Sequence, residues 1–249
     1  MGWSGFVGGL LSDAMSFDAQ FRSADVEELT RGEWDEVVYA GTPAEKWRAN
    51  QDPQRDVEAL ERIWDVLRRT SARRVVLIST VDVYDPPIGC TEADAPTATH
   101  AYGANRAELE RRVLEQFDDV SVVRLPALYG PGLKKNALYD LLQGEACPAP
   151  RPARFQWYDL EGLPADLDRI RRDGLRLVQL VTEPVAMGEI VDACFPGADT
   201  AEDRPVIAYD LRTMHDGPYV ASHDEALAGV VRFVERVRSG EVACASRSA

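Results

Sequence analysis

Short runs of β-branched residues alternate along the chain with stretches in which apolar side chains recur every three or four positions. That alternation predicts a parallel sheet covered by helices on both faces, an α/β fold of the doubly wound kind. The strand candidates are Glu36–Tyr39, Arg74–Ser79, Val120–Leu125 and Leu175–Val181, with Val206–Tyr209 weaker; a short strand is also expected at about Ser16–Arg22. Among the helices, Thr42-Pro43-Ala44-Glu45 has the spacing of a capping box with proline at the first helical position. From Pro53 to about Thr70, the residues Val57, Leu60, Ile63, Trp64 and Leu67 define one apolar stripe. A further helix runs from about Tyr102 to Phe117, with Leu109, Val113, Leu114 and Phe117 facing inward. The last helix is announced by Ser222-His223-Asp224-Glu225, another capping box, and turns Leu227, Val230, Val231, Val234 and Val237 to its buried side.

With 249 residues, 45% of them hydrophobic, the chain buries a sizeable core, and residues 1–249 read as one domain. The proline-rich Cys147–Arg154 reads as a loop ahead of a C-terminal portion, and the tail after about Val242 is expected to be disordered. Charge narrows the partners. A net charge of −14 repels phosphate backbones and anionic membrane surfaces, so neither nucleic acid nor a membrane is expected. No stretch approaches the length of a membrane span, and the apolar N-terminus lacks the basic region of a signal peptide and is expected to be retained. Cys90, Cys147, Cys194 and Cys244 follow no metal or disulfide spacing, and His100, His215 and His223 show no metal pattern; a reducing, cytoplasmic setting is expected, with no metal.

Two groups of residues carry candidate chemistry. Gly2, Gly5 and Gly8 recur at every third position and lead into an apolar helix start. Such a loop lets backbone N–H groups approach a pyrophosphate at a helix N-terminus. A β-strand should precede it, yet only Met1 does. The expectation is therefore either a start further upstream or a pared-down cofactor site in an N-terminally shortened sheet. No acidic residue to read an adenosine ribose can be placed.

The second group is Thr80, Tyr102 and Arg106. Thr80 falls at the carboxyl end of a parallel strand, where open α/β sheets carry their active sites. Tyr102 and Arg106 stand one helical turn apart and share a face. A cation beside a phenol favours the phenolate and lowers its pKa from about 10 toward a useful acid/base range. Taken singly, each of the three also fits an ordinary surface pair or strand-end hydroxyl.

In order and spacing, GWSGFVG (2–8), VVYAG (37–41), DVEAL from Asp56, STVDVY (79–84), YGANR (102–106) and RLPALYGPGLKKN (124–136) resemble the extended short-chain dehydrogenase/reductases, the NAD-dependent epimerase/dehydratase group. The resemblance covers most of the chain and implies a Rossmann-like sheet with a small C-terminal substrate lobe, its elements drawn from about residue 131 onward. Segments Phe155–Leu160 and Thr182–Val185 look like that lobe's strand, helix and turn. It implies NAD or NADP as cofactor, held by Gly2, Ser4, Gly5, Phe6, Val7, Ala40, Gly41, Tyr102 and Arg106. Tyr102 would be the catalytic acid/base, Thr80 would hydrogen-bond the reacting oxygen, and Asp82, Lys134, Lys135 and Asn136 would contact a nucleotide-sugar substrate. A homodimer is a common arrangement in the family.

Departures from the family pattern shape the expectation. Arg106 stands where the family has lysine, an exchange that keeps charge but not geometry. Val81 and Asp82 replace the acidic pair of the dehydratases, which disfavours elimination of water, and Ala127 replaces an asparagine that contacts the diphosphate. The expected function is an oxidoreductase or epimerase acting on a nucleotide-activated sugar through a ketone/alcohol step. The alternative is a non-catalytic dinucleotide- or nucleotide-binding module that retains the fold.

Overall fold

Four of the five apolar runs become strands, and the fifth does not. The computed structural model describes residues 1–245. In chain order its first elements are α1 (Phe6–Ala14), β1 (Glu33–Tyr39), α2 (Lys46–Gln51), α3 (Pro53–Leu67), β2 (Ser71–Thr80), α4 (Ala101–Gln116) and β3 (Val120–Leu125). There follow β4 (Ala127–Tyr129), α5 (Ala137–Leu142), β5 (Arg154–Phe155), β6 (Trp157–Asp159), α6 (Leu163–Asp173), β7 (Leu177–Gln179), β8 (Val185–Ala186), α7 (Met187–Cys194) and α8 (His223–Arg238). Val206–Tyr209 forms no strand; its ladder contact is a single bridge from Ala208 to Arg154.

The chain divides into two compact units. The first holds residues 1–86, 92–125 and 164–179; the second holds 87–91, 126–163 and the residues from 180 onward.

In the first unit the sheet order is β1-β2-β3-β7, with every pair parallel. Register fixes what each face shows. Val37, Val75 and Val120 lie in one row and Tyr39, Leu77 and Val122 in the next. Leu60 and Leu67 of α3 and Leu109 and Val113 of α4 cover the core cluster that these rows build with Tyr39. On the opposite face, Glu36 accepts from Arg171 of α6 at 2.6 Å, and Leu11 of α1 lines a small pocket with Val38 and Ala40. Helices thus cover both faces, as the alternating pattern implies.

At the outer edge of β1 a single residue completes the ladder. Met1 donates its N to the Val38 carbonyl at 2.7 Å and accepts from Ala40 N at 2.9 Å, while Gly2 N donates to Phe21 O at 2.9 Å. Ser16–Arg22, expected as a strand, forms none; Phe21 O accepts from Gly2 N, with no strand assigned over 16–22.

Two helix expectations also change. The capping box at Thr42 does not form: α2 begins at Lys46 without a side-chain cap, and the Pro43 carbonyl accepts from Arg106 at 2.6 Å. In α3 the first turn presents Asp56 to the interior and leaves Val57 36% exposed, while Leu60 and Leu67 are buried as expected.

The second unit contains a parallel pair, β4 with β6, and an antiparallel pair, β5 with β8. Ser222 and Glu225 form the expected capping box of α8. Val230 and Val234 are buried as predicted, but Ala226, Gly229 and Phe233 join them in place of Leu227, Val231 and Val237. The helix is turned because Gly229 must face Tyr129, whose hydroxyl would lie 2.1 Å from a Cβ there. The start of the tail is ordered, contrary to expectation: Ala243 O accepts from Gly132 N at 2.8 Å and Ala245 N donates to Leu133 O at 3.0 Å. The remainder of that tail, 246–249, lies outside the described residues.

Among the described residues no helix is long and apolar enough to cross a membrane, and no group of three or more His, Cys, Asp or Glu could hold a metal.

Beneath the carboxyl end of the sheet, Glu110 of α4 and Arg124 of β3 form an ion pair at 2.6 Å with both side chains 2% exposed. Arg124 also donates to the Tyr84 hydroxyl at 2.6 Å, and Ser79 donates to Glu110. Removing one member of such a pair strands the other charge in the core. Glu110→Ala is therefore expected to cost about 3–5 kcal/mol in urea unfolding, and the joint change Glu110→Leu with Arg124→Met to recover most of it. A Glu110→Ala protein within about 1 kcal/mol of the parent would show that the pair carries no such burden.

Candidate active site

The glycine loop wraps the end of β1. Gly2 has φ +85°, and a Cβ on it would meet the Gly41 backbone at 2.6 Å, so only glycine fits this approach. A Cβ on Gly8 would strike the Gly2 carbonyl at 2.1 Å. Gly5 is the N-cap of α1 and makes no side-chain cap bond, so the start of the helix, Phe6 and Val7, follows directly on the loop. Ala40 is held by Met1 and Gly41 lies against Gly2, while Ser4 is exposed. The loop residues named from the sequence are thus gathered at one end of β1. Their stereochemistry fits a pyrophosphate bound on backbone donors.

Arg22 adds a charge that no local sequence pattern marks. It follows Phe21, the acceptor of the Gly2 N–H, and lays its guanidinium 4.2 Å from the ring centre of Trp3 in the glycine loop. Arg22 is exposed, and the aromatic platform orients its charge beside the loop.

At the end of β2, Thr80 and Tyr102 come together. The Thr80 hydroxyl accepts from Asp82 N at 3.1 Å and lies near enough to the Tyr102 phenol to favour its ionised form. Tyr102 is in the first turn of α4, its backbone N donating to Asn50 Oδ1 at 2.9 Å. The approach is close because residue 103 is glycine: a Cβ there would lie 2.0 Å from the Asp82 carbonyl oxygen and 2.5 Å from Ala98 Cβ. His100 caps the same helix, its Nδ1 accepting from Gly103 N at 3.1 Å.

Arg106 lies one turn on, 2% exposed, with its guanidinium 3.8 Å from the centre of the Tyr102 ring. It forms a bidentate pair with Asp56, Nη1 to Oδ2 at 2.6 Å and Nη2 to Oδ1 at 2.9 Å. Burial raises the Tyr102 pKa, opposed by the Arg106 charge, with Asp82 adding to the rise and the Thr80 hydroxyl opposing it. The net direction is upward, opposite to the sequence expectation, because desolvation of the phenolate outweighs the neighbouring cation. Asp82 is itself paired with Lys46 Nζ at 2.7 Å.

The other substrate candidates belong to the second unit. Lys134 and Lys135 are exposed on the loop before α5. Asn136 is engaged at both ends of its amide, accepting from Tyr139 N at 2.9 Å as the α5 cap and donating to Leu128 O at 2.8 Å.

The model of the NAD dependent epimerase/dehydratase family matches residues 17–142, a span that contains Thr80, Tyr102 and Arg106. The chain belongs to this family. No curated protein matches its sequence. Among solved structures, the dTDP-4-dehydrorhamnose reductase of Yersinia enterocolitica is similar at a TM-score of 0.73 and 12% identity, over 94% of this chain and 96% of that one. The UDP-glucose 4-epimerase of Thermotoga maritima, solved with UDP-glucose, is similar at a TM-score of 0.71 and 14% identity, over 96% and 98%. The dTDP-4-dehydrorhamnose reductase of Bacillus anthracis, in complex with NADP, is similar at a TM-score of 0.71 and 15% identity, over 94% and 97%. At these identities the likeness concerns the fold, and it agrees with the family assignment and with the Rossmann-like sheet.

For this member of the epimerase/dehydratase family, the seating of α4 rests on the missing side chain of residue 103. Gly103→Ala is expected to destabilise the fold by about 1–3 kcal/mol through overpacking against Asp82, read as a lower midpoint in urea. An unchanged midpoint would mean that α4 can shift freely at this point.

Proposed function

We propose that the chain is an NAD(P)-dependent oxidoreductase or epimerase that acts on a nucleotide-activated sugar through a ketone/alcohol step. The observation that carries this reading is the approach of the Tyr102 phenol to the Thr80 hydroxyl at the carboxyl end of β2, in the unit that also holds the glycine loop. Similar folds in complex with NADP and with UDP-glucose support it.

The residues present fit a dinucleotide. Gly2, Gly5 and Gly8 let the loop fold tightly at the start of α1, and a helix N-terminus behind a glycine loop is a seat for a pyrophosphate. A bound nicotinamide supplies or takes a hydride at the sugar carbon. The chain's own task is the proton. Tyr102, its phenol kept protonated by burial, donates to a substrate carbonyl oxygen while Thr80 hydrogen-bonds that oxygen, an arrangement suited to the reductive direction. Asp82, tied to Lys46, follows Thr80 by two residues on the same turn.

Arg22 supports a preference between cofactors. An arginine near the glycine loop accommodates the adenosine 2′-phosphate of NADP, whereas a carboxylate there reads the free ribose of NAD. Arg22→Ala is expected to weaken NADPH binding about tenfold or more and to leave NADH within about twofold, measured by fluorescence titration. Equal losses for both nucleotides would remove the 2′-phosphate role.

The activity itself is tested by following nicotinamide absorbance with NADPH and a panel of nucleotide-linked keto sugars. Turnover is expected, and Tyr102→Phe should lower it about 100- to 10,000-fold with NADPH affinity unchanged. Turnover that survives Tyr102→Phe would defeat the mechanism. Nucleotide binding without turnover on any panel member would favour the non-catalytic binding module.

A further inference from the structure

We infer that Asp56 is a positioning residue for Tyr102, acting through Arg106, and that Arg106 stays clamped inside the protein rather than reaching for the cofactor. The inference rests on the proposed reading of Tyr102 as acid/base.

The terminal nitrogens of a guanidinium carry four hydrogens, and in Arg106 every one is engaged. Nη1 donates to Asp56 Oδ2 at 2.6 Å and to the Tyr102 carbonyl at 3.0 Å; Nη2 donates to Asp56 Oδ1 at 2.9 Å and to the Pro43 carbonyl at 2.6 Å. A cofactor hydroxyl that approached either Nη group would have to displace one of these charge-assisted bonds in a residue 2% exposed, leaving a buried acceptor unpaired.

Asp56 makes this arrangement possible. It lies in the first turn of α3, 6% exposed, and besides holding both Nη groups it accepts from Asn105 Nδ2 at 2.8 Å. One carboxylate therefore fixes two consecutive residues of α4 and holds the guanidinium plane against the Tyr102 ring, 3.8 Å from its centre. Lysine, a single point charge, cannot hold both carboxylate oxygens in a planar fork or stack on the ring in this way. Where the family has a lysine, this chain has an arginine and a carboxylate that consumes it.

The electrostatic consequence follows from what faces Tyr102. From α4 comes Arg106, from α3 the Asp56 carboxylate that offsets it, and from the turn after β2 come Thr80 and Asp82. Lys46 of α2 is held on Asp82, and His100 precedes Tyr102 at the α4 cap. Removing the Asp56 charge exposes the phenol to an Arg106 cation with no counter-ion. The phenolate is then favoured, and the titration midpoint of Tyr102 falls.

The test needs no substrate. In the full chain, phenolate absorbance in the near ultraviolet, taken as the difference from Tyr102→Phe, gives the Tyr102 midpoint, and NADPH titration gives the affinity. Asp56→Asn, nearly isosteric, is expected to lower the midpoint by about one pH unit and to leave NADPH affinity within about twofold. A purely structural role would lower stability without moving the midpoint. An unmoved midpoint overturns the inference. Arg106→Lys supplies a second reading that survives a misfolded Asp56→Asn. NADPH affinity within about twofold supports the clamp, whereas a change of about tenfold in either direction shows that residue 106 touches the cofactor and overturns it. If the parent protein binds no dinucleotide, the proposed function fails, and the Tyr102 midpoint in Asp56→Asn still decides the positioning role.

Discussion

A buried carboxylate–guanidinium pair, Asp56 with Arg106, joins α3 to α4 and governs what α4 shows to the end of β2. A buried pair returns its desolvation cost only if its remaining donors and acceptors are also satisfied. Here the Pro43 and Tyr102 carbonyls and the Asn105 amide complete the set. The Pro43 carbonyl, just ahead of α2, is bound into this set, and Lys46 at the start of α2 pairs with Asp82. Asp56 must turn inward, so Val57 is left outside.

A second constraint acts one turn earlier on the same helix. Without a side chain at residue 103, α4 approaches the Asp82 carbonyl closely, in the turn that follows Thr80. Below that contact, Glu110 meets Arg124 and Ser79. Residues 102, 106 and 110 follow at intervals of four and so share one face of α4. That face is polar and buried along its length. It serves the site at its upper end and the core at its lower end.

Much of this fold was legible because strands buried on both faces leave a strong trace. Val120–Leu125 was read with its observed limits, since all six residues are interior. Strand β2 begins three residues before its apolar run, at Ser71, because its partner β1 extends back to Glu33 and pairing does not require burial of every residue. The two- and three-residue strands of the second unit are too short to show any period. In the site, Thr80, Tyr102 and Arg106 were visible from a strand end and an i,i+4 spacing, and the glycine loop from its repeat. Asp56 was not. A carboxylate in the first turn of a helix reads as a complement to the helix dipole, and no local pattern ties it to an arginine 50 residues later. Arg22 escaped for a similar reason, as its link to Trp3 is a contact across a turn.

The chain therefore combines a family framework with its own arrangement of charge: a phenol held protonated by burial, and a cation committed to the protein before any ligand arrives. The most direct measurement is a crystal structure of the protein with NADPH bound. The account predicts that Nη1 and Nη2 of Arg106 remain on the Asp56 carboxylate, with the guanidinium still stacked on Tyr102 and no contact to the cofactor ribose. A guanidinium released from Asp56 and bonded to that ribose would contradict it.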